Sequence, residues 1–264
     1  MRASLWVACF VVLSVTVVTA QSGPKIDHQR GIEVRGGYGM YLNMTDPNTF
    51  VKNFTGPSGY SQKEYTESEG SFLGGITLLF KTQPYFAWHV GLNVLGTDSA
   101  TATAVNAANE TQTARVFTNA VEIFLTANYY WHITPRFNLE LGAGPAFYLS
   151  SLDREVSNQS QAIYGESFYG AHGRSFGFTG EVGAELFLSS AVSLKLGGGF
   201  RWAPVTRYKF FREVVGQTGN YKVGEIAYWQ NTFDTFEADF SGAYLNAGLR
   251  VYFNPAAPWN KYGE

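Results

Sequence analysis

Apolar and polar residues alternate with a period of two along much of this 264-residue chain. In the segment 32–42 the even positions hold Ile, Val, Gly, Tyr, Met and Leu, whereas the odd positions hold charged residues, glycine and one tyrosine. Successive side chains of a β-strand point to opposite faces, so this period is typical of a strand with one apolar face. The pattern therefore predicts an all-β protein.

Eight segments of this kind follow one another, and the connections between them alternate between short and long. The segments are 32–42, 72–80, 86–95, 117–131, 137–149, 176–188, 192–202 and 243–253. The short connections are 81–84, 132–136 and 189–191, and the long ones are 43–71, 96–116, 150–175 and 203–242. An even number of antiparallel strands closes into a barrel with both termini at one end. We predict an eight-stranded antiparallel up-and-down transmembrane β-barrel with short periplasmic turns and long extracellular loops.

The first 20 residues have the features of a secretory signal peptide. Arg2 gives a positive start, residues 5–18 are apolar, and the small residues that end at Ala20 suit a signal peptidase. We predict a signal peptide over 1–20, a periplasmic N-terminal stub over 21–31, the barrel over 32–253 and a periplasmic tail over 254–264. The single cysteine, Cys9, lies in the signal peptide, so no disulfide is expected in the mature chain.

The composition indicates which face of the barrel is outside. Charged residues make up 15% of the chain, and aromatic residues make up 16%, whereas about 25% of an average soluble chain is charged. The alternative is a soluble ligand-binding barrel with an apolar interior, but such a protein needs a water-compatible exterior. The scarcity of charge favours an apolar face that meets lipid. After Ala20 the chain has no apolar run of about 18 residues, so no spanning helix is expected. The formal charge of −2 gives no basic field for nucleic acid, which we do not expect as a partner.

Aromatic residues at the predicted outward positions cluster near both ends of the strands, as in the girdles of lipid-embedded barrels. The predicted girdle residues are Phe80, Phe86, Trp88, Tyr129, Trp131, Phe137 and Phe253 near the short turns, and Phe147, Phe176, Phe178, Phe200 and Trp202 near the long loops. This arrangement predicts a location in the bacterial outer membrane. Outer-membrane lipid and lipopolysaccharide are the expected partners of the wall.

Two segments resemble strands of a known family. LELGAGPAFY (139–148) and YLNAGLRVYF (244–253) are similar to strands of the OmpA/OmpX-like outer-membrane β-barrel family. The resemblance implies an eight-stranded barrel whose last strand ends in an aromatic residue, here Phe253, that the barrel-assembly machinery recognises. The chain departs from this pattern because residues 254–264 follow that aromatic residue.

The predicted inward positions carry charges of both signs. The expected lumen ion-pair network comprises Glu33, Arg35, Glu122, Glu140, Glu181, Glu185, Lys195, Arg201 and Arg250. An eight-stranded barrel is just wide enough for side chains to fill it, and an unpaired charge there costs several kcal/mol, so these groups should pair. Glu185 and Lys195 are expected to pair across the third short turn. A small pore that opens when the pairs exchange partners is the functional alternative.

The sequence gives little support for catalysis or for a bound cofactor. Hydrolysis of an acyl chain would need a serine, a histidine and an acid at one place, and only His172 and Ser175 bring the first two close in sequence. Histidines and carboxylates do not show metal-ligand spacing, and the glycine runs do not open a helix as phosphate loops do. We predict a non-enzymatic protein with no catalytic, cofactor or metal residues.

The long loops are expected to carry any specific function. The small polar residues 97–104 predict a mobile second loop, and the turn sequence GQTGN (216–220) predicts a hairpin that extends the seventh and eighth barrel strands. The leading hypothesis is an outer-membrane barrel for envelope integrity, with restricted small-solute passage. The alternatives are a surface adhesin that binds a host or matrix ligand through its loops, and a lipid A-modifying acyl hydrolase.

Overall fold

The computed structural model describes residues 30–55, 58–97, 99–158, 169–210, 214–216, 219–226 and 235–253. The predicted signal peptide, almost all of the predicted stub and the predicted tail lie outside these ranges. Within them, no helix is both long and apolar enough to cross a membrane.

The described part of the chain contains fourteen strands and one short helix. In chain order the elements are β1 (Arg30–Asn43), α1 (Thr45–Lys52), β2 (Tyr60–Thr66), β3 (Gly70–Gln83), β4 (Phe86–Thr97), β5 (Ala100–Asn106), β6 (Thr111–Thr134), β7 (Phe137–Asn158), β8 (Tyr169–Phe187), β9 (Val192–Trp202), β10 (Pro204–Val205), β11 (Tyr208–Phe210), β12 (Val214–Gly216), β13 (Gly219–Tyr221) and β14 (Ala238–Tyr252).

Eight of these strands form a closed antiparallel ring. The strands β1, β3, β4, β6, β7, β8 and β9 pair in that order, and β14 pairs with both β9 and β1. At the closing seam Ile32 lies opposite Val251, and Val34 lies opposite Leu249. A closed ring leaves no strand edge exposed. The predicted eight-stranded up-and-down barrel is confirmed.

Two barrel strands are much longer than a membrane requires. β6 has 24 residues and β7 has 22, whereas a strand of about 9–11 residues crosses a bilayer. On the outward face of this pair, apolar Val121 and Leu149 give way to Asn119 and Ser151, although the two strands stay hydrogen-bonded as far as Gln112. The sheet therefore continues above the membrane into segments that the sequence pattern assigned to loops.

The second long loop is mostly a strand, so the expectation of a mobile polar loop there is wrong. β5 pairs with β6 on one side and with β2 on the other. Its alanines Ala100, Ala102 and Ala104 are buried, and the threonines between them lie on the opposite face. Burial of one face offsets the conformational entropy lost when these residues form a strand.

The fourth long loop contains the predicted hairpin, but the hairpin does not extend the barrel. β12 and β13 form a two-stranded sheet of their own, with Val214 opposite Tyr221. The short strands that do join the barrel sheet are β10, which pairs with β14, and β11, which pairs with β8.

Candidate functional site

The apolar face of the barrel strands is on the outside. Five apolar residues near mid-height are 39–59% exposed, namely Val90, Leu125, Leu141, Val182 and Leu249. Their neighbours on the other face, such as Gly91 and Gly142, are buried. A soluble barrel with an apolar interior is therefore excluded. A continuous apolar wall of this size needs a lipid environment.

The predicted girdle residues lie at the two ends of this wall. Phe80, Trp88, Phe178, Phe200, Trp202 and Phe253 are exposed, whereas Phe86, Tyr129, Trp131 and Phe137 are half-buried. At the short-turn end the Tyr129 and Trp131 rings pack edge to face with centroids 4.8 Å apart. At the long-loop end the predicted Phe176 is 77% exposed, and Phe72, which was not among the predicted residues, is 69% exposed.

Inside the barrel, seven of the nine predicted lumen residues are joined in one set of ion pairs, which we call the lumen network. Its members are Glu33, Arg35, Glu140, Glu181, Glu185, Lys195 and Arg250. They come from β1, β7, β8, β9 and β14, because inward positions at similar heights converge on the barrel axis.

Arg250 occupies the centre of the lumen network. Its Nε lies 2.6 Å from Glu33 Oε2, and its Nη1 lies 2.8 Å from Glu140 Oε2 and 3.5 Å from Glu185 Oε1. The guanidinium is fully buried. Three carboxylates from three strands are thus held by one planar cation, a geometry that suits arginine better than lysine.

Lys195 and Arg35 complete the lumen network on the side of β1 and β8. Lys195 pairs with Glu181, and its Nζ lies 3.6 Å from Glu140 Oε1 and 3.9 Å from Glu33 Oε2. Arg35 Nη1 lies 3.2 Å from Glu181 Oε2 and 3.8 Å from Glu33 Oε1. Each cation therefore contacts at least two acids, which offsets part of its desolvation cost.

The expected ion pair between Glu185 and Lys195 does not form, although the register behind it is confirmed. The two residues lie opposite each other on β8 and β9. Glu185 instead accepts hydrogen bonds from Ser193 Oγ at 2.7 Å and from Tyr252 Oη at 2.5 Å, and it faces Arg250. The long Lys195 side chain extends away from Glu185 and reaches Glu140 and Glu181 in the barrel interior.

Glu122 and Arg201 lie outside the lumen network. Glu122 is buried and accepts hydrogen bonds from Asn93 Nδ2 at 2.5 Å and Tyr148 Oη at 2.7 Å. The Arg201 guanidinium lies 4.8 Å from the centre of the Tyr244 ring. Neither residue forms an ion pair within the described part of the chain. Both sit nearer the long-loop end, beside the inward tyrosines Tyr148 and Tyr244.

Two further polar residues point inward: His89, which the sequence parity places inside, and Lys81, which the sequence analysis missed. Lys81 was assigned to the first short turn, but β3 continues through it to Gln83. Its Nζ lies over the Tyr130 and Tyr252 rings, 4.4 Å and 5.0 Å from their centres. His89 Nε2 lies 2.9 Å from Tyr130 Oη, and its Nδ1 lies 3.5 Å from Glu140 Oε1. Odd-number parity, which Lys81 shares with Thr77 and Leu79, was the signal that could have placed it inside.

With Lys81 included, the charged layer of the barrel holds five acids and five bases within the described ranges. The acids are Glu33, Glu122, Glu140, Glu181 and Glu185, and the bases are Arg35, Lys81, Lys195, Arg201 and Arg250. Buried amides connect them: Asn93 accepts from Arg35 Nε at 3.0 Å, and Asn246 donates to Glu181 Oε2 at 2.7 Å. The formal charges balance, so the interior presents no strong selectivity field of either sign.

Beyond the lumen network, towards the long loops, the interior becomes apolar. α1 lies across this end and buries Phe50 and Val51 against inward residues of the barrel strands. The same buried cluster includes Met44, Leu95, Leu152, Tyr208 and Phe240. The chain therefore forms an apolar plug above the charged layer.

Two cavities lined by described residues differ greatly in size. A cavity of about 10 Å³ lies among Arg35, His89, Lys195 and Tyr244, which is roughly the space that one water molecule needs. A second cavity, of about 600 Å³, lies beside α1 and is lined by Tyr38, Met40, Asn48 and Ser68, among other residues. No member of the lumen network lines it.

The one histidine and serine that are close in sequence do not converge in the structure. His172 is exposed on the outward face of β8, whereas Ser175 has inward parity and donates to the Phe176 carbonyl oxygen at 3.0 Å. Within the described ranges, no group of three or more His, Cys, Asp or Glu residues could hold a metal ion.

Comparisons with known proteins agree with this geometry. Residues 19–210 match the family described as outer membrane protein beta-barrel domain. The comparison with curated proteins returns no match.

Among solved structures, the chain is similar to the outer membrane protein OprG from Pseudomonas aeruginosa, with 14% identity, a TM-score of 0.47, and 86% of this chain and 98% of that chain covered. It is also similar to Neisserial surface protein A, with 13% identity, a TM-score of 0.41, and 86% and 96% covered. A third similar structure is Ail, the attachment invasion locus protein of Yersinia pestis, in complex with the heparin analogue sucrose octasulfate. Its identity is 6% and its TM-score is 0.37, with 86% of this chain and 100% of that chain covered. With the family match spanning more than half of its length, the chain belongs to the outer membrane protein beta-barrel domain family.

Proposed function

We propose that this protein is a non-enzymatic outer-membrane barrel that serves envelope integrity and keeps its lumen closed at rest. The observation that carries the proposal is the filled interior. The charged layer leaves a cavity of about 10 Å³, and the buried side chains of α1 cover the long-loop end. Hydrated solutes need a continuous aqueous path, which this packing does not offer.

The division of the chain is part of the same proposal. Residues 1–20 direct export, 21–31 and 254–264 remain in the periplasm, and the aromatic belts defined by the predicted girdle residues hold the barrel at its depth in the membrane. The last strand, which ends at Tyr252 and is followed by Phe253, would be the part that the barrel-assembly machinery binds.

Conductance in planar lipid bilayers tests the closed lumen. We expect the refolded barrel to give no large, stable single-channel currents, because the lumen network and the apolar plug must both rearrange before ions pass. Stable currents of the size seen with general porins would contradict the proposal. The envelope role is tested separately, by comparing the detergent sensitivity of cells that lack the protein with that of the same cells after the gene is restored.

A surface-binding role is the second candidate, and the long β6–β7 pair favours it. These strands hold a hydrogen-bonded sheet above the membrane, with Arg115 opposite Glu155 on the outward side. A sheet of this kind presents side chains in fixed positions, as a binding surface requires. Ligand blotting with variants of Arg115 and Glu155 tests this role.

A further inference from the structure

Four basic residues form one patch on the outward side of the barrel at the long-loop end, which we call the basic block. Tyr208 on β11 lies opposite Gly173 on β8, and both are buried. Their sequence neighbours therefore point outward: Lys209 lies opposite His172, and Arg207 and Arg174 each lie one position from the Tyr208–Gly173 pair, on its other side. All four are exposed. The register thus brings like charges next to each other on two neighbouring strands.

The basic block lies directly beyond the aromatic belt. Residues of β8 alternate between the two faces, so Phe176 and Phe178 continue the outward face of Arg174 towards the membrane centre. Phe176 is 77% exposed, and Phe178 lies opposite the exposed Trp202 of β9. Aromatic belts mark the boundary between hydrocarbon and headgroups. The basic block is therefore at the height of the outer-leaflet headgroups.

Among the described residues, carboxylates do not neutralise the three permanent charges of the basic block. Asp153 on β7 lies opposite Gly170, beyond His172, and the Glu225 carboxylate accepts a hydrogen bond from the Lys222 backbone N–H at 3.0 Å. Within the described ranges, Arg174, Arg207 and Lys209 form no ion pair. Like charges that face each other across antiparallel strands are destabilising unless a counter-charge is present.

We infer that the basic block binds the phosphate groups of lipopolysaccharide in the outer leaflet. This inference rests on the proposed orientation of the barrel in the outer membrane. Guanidinium groups bind phosphate oxygens through paired, charge-assisted hydrogen bonds, and lysine adds a compact charge. The acyl chains of the same lipid would lie along Phe176 and Phe178. Headgroup and chains thus meet complementary surfaces in the order in which they occur along the lipid.

The test compares a triple variant, R174Q, R207Q and K209Q, with a matched control, R30Q, K63Q and R136Q, whose exposed residues lie elsewhere. Both remove two arginines and one lysine. The readouts are the lipopolysaccharide that copurifies with each folded barrel and the affinity for added lipopolysaccharide in detergent. We expect the basic-block variant to bind roughly tenfold more weakly or worse, since one charge-assisted hydrogen bond is already worth about that factor. The control should bind as the parent does.

Two further measurements identify the ligand group. Dephosphorylated lipopolysaccharide should bind the parent as weakly as it binds the basic-block variant. Equal binding of the phosphorylated and dephosphorylated lipids, or equal binding by the two variants, would overturn the inference. Selective loss of heparin binding with unchanged lipopolysaccharide binding would also overturn it and would favour the surface-binding role. Heat-modifiable gel mobility and bilayer conductance of the variants report on the barrel itself. They therefore distinguish a failure of the closed-barrel proposal from a failure of the lipopolysaccharide inference.

Discussion

Arg250 shows how much of the barrel interior depends on single side chains. One buried guanidinium contacts carboxylates of β1, β7 and β8. Parity along the strands was enough to place this residue and its acids inside. Parity could not assign partners, because Lys195 reaches across rows, and it could not find Lys81, whose strand continues into the predicted turn. Side-chain length and turn position decide those details.

Replacing Arg250 with Met should destabilise the folded barrel by about 3–5 kcal/mol, because it leaves three buried carboxylates short of a partner. The measurement is the unfolding midpoint in urea after reconstitution. The matched control is Arg136→Met in a short turn, where the side chain is exposed, and it should change the midpoint little. Equal effects of the two substitutions would show that the lumen network adds nothing to stability.

The outward face gives a second prediction at the same scale. Leu125→Arg places a charge on the exposed wall near mid-height and should cost about 2–4 kcal/mol in lipid. Ser151→Arg is the control, since it lies on the outward side beyond the apolar part of β7, and about 0–1 kcal/mol is expected there. The lumen is not a useful comparison: a Cβ at Gly142 would displace the Asn128 side chain, so a substitution there would also disturb the packing of the interior.

The bounds of a barrel strand can be predicted from the sequence within the lipid region, but the part of the strand that continues above the membrane cannot. β9 has the predicted bounds, Val192–Trp202. At the long-loop end, the predicted β6 began too late, at 117 instead of 111, and the predicted β7 ended too early, at 149 instead of 158. The outward faces there carry polar residues such as Arg115 and Ser151, which is typical of the end of a membrane strand. The inward face kept alternating, through Val116 and Leu152, and both are buried. Above the membrane, only the inward face keeps the apolar alternation that indicates a strand.

Because only one face of β5 is buried, substitutions at neighbouring residues should have opposite effects. Ala102 is buried opposite Ala114, so Ala102→Asp would bury an unpaired carboxylate and should release β5 from the sheet. Thr103→Asp lies on the other face and should be tolerated. Limited proteolysis of the folded protein in detergent, with mapping of the cleavage sites, measures the difference. Cleavage within β5 in both variants, or in neither, would mean that burial of the alanines does not hold the strand.

For the whole molecule, strand number, closure and the direction of each face followed from alternation and scarce charge, because a closed barrel in lipid leaves few other solutions. The apolar plug did not follow from the sequence. α1 and the ends of the long strands meet there from distant parts of the chain, and their fit depends on loop paths that local patterns do not encode. The basic block also required the pairing of β11 with β8, which only the fold reveals.

The seam between β1 and β14 joins the two ends of the barrel sequence, and it has a consequence for the order of assembly. The Arg250 side chain donates to Glu33 across 217 positions of the chain. Until the last strand arrives, Glu33 lacks this counter-ion, and the first strand lacks its final partner. Contacts of such long sequence separation form slowly, because loop-closure entropy is lost before they form. We therefore expect closure to be the last event of folding, so that a nascent barrel remains an open, charged sheet until its C-terminal strand locks onto its first.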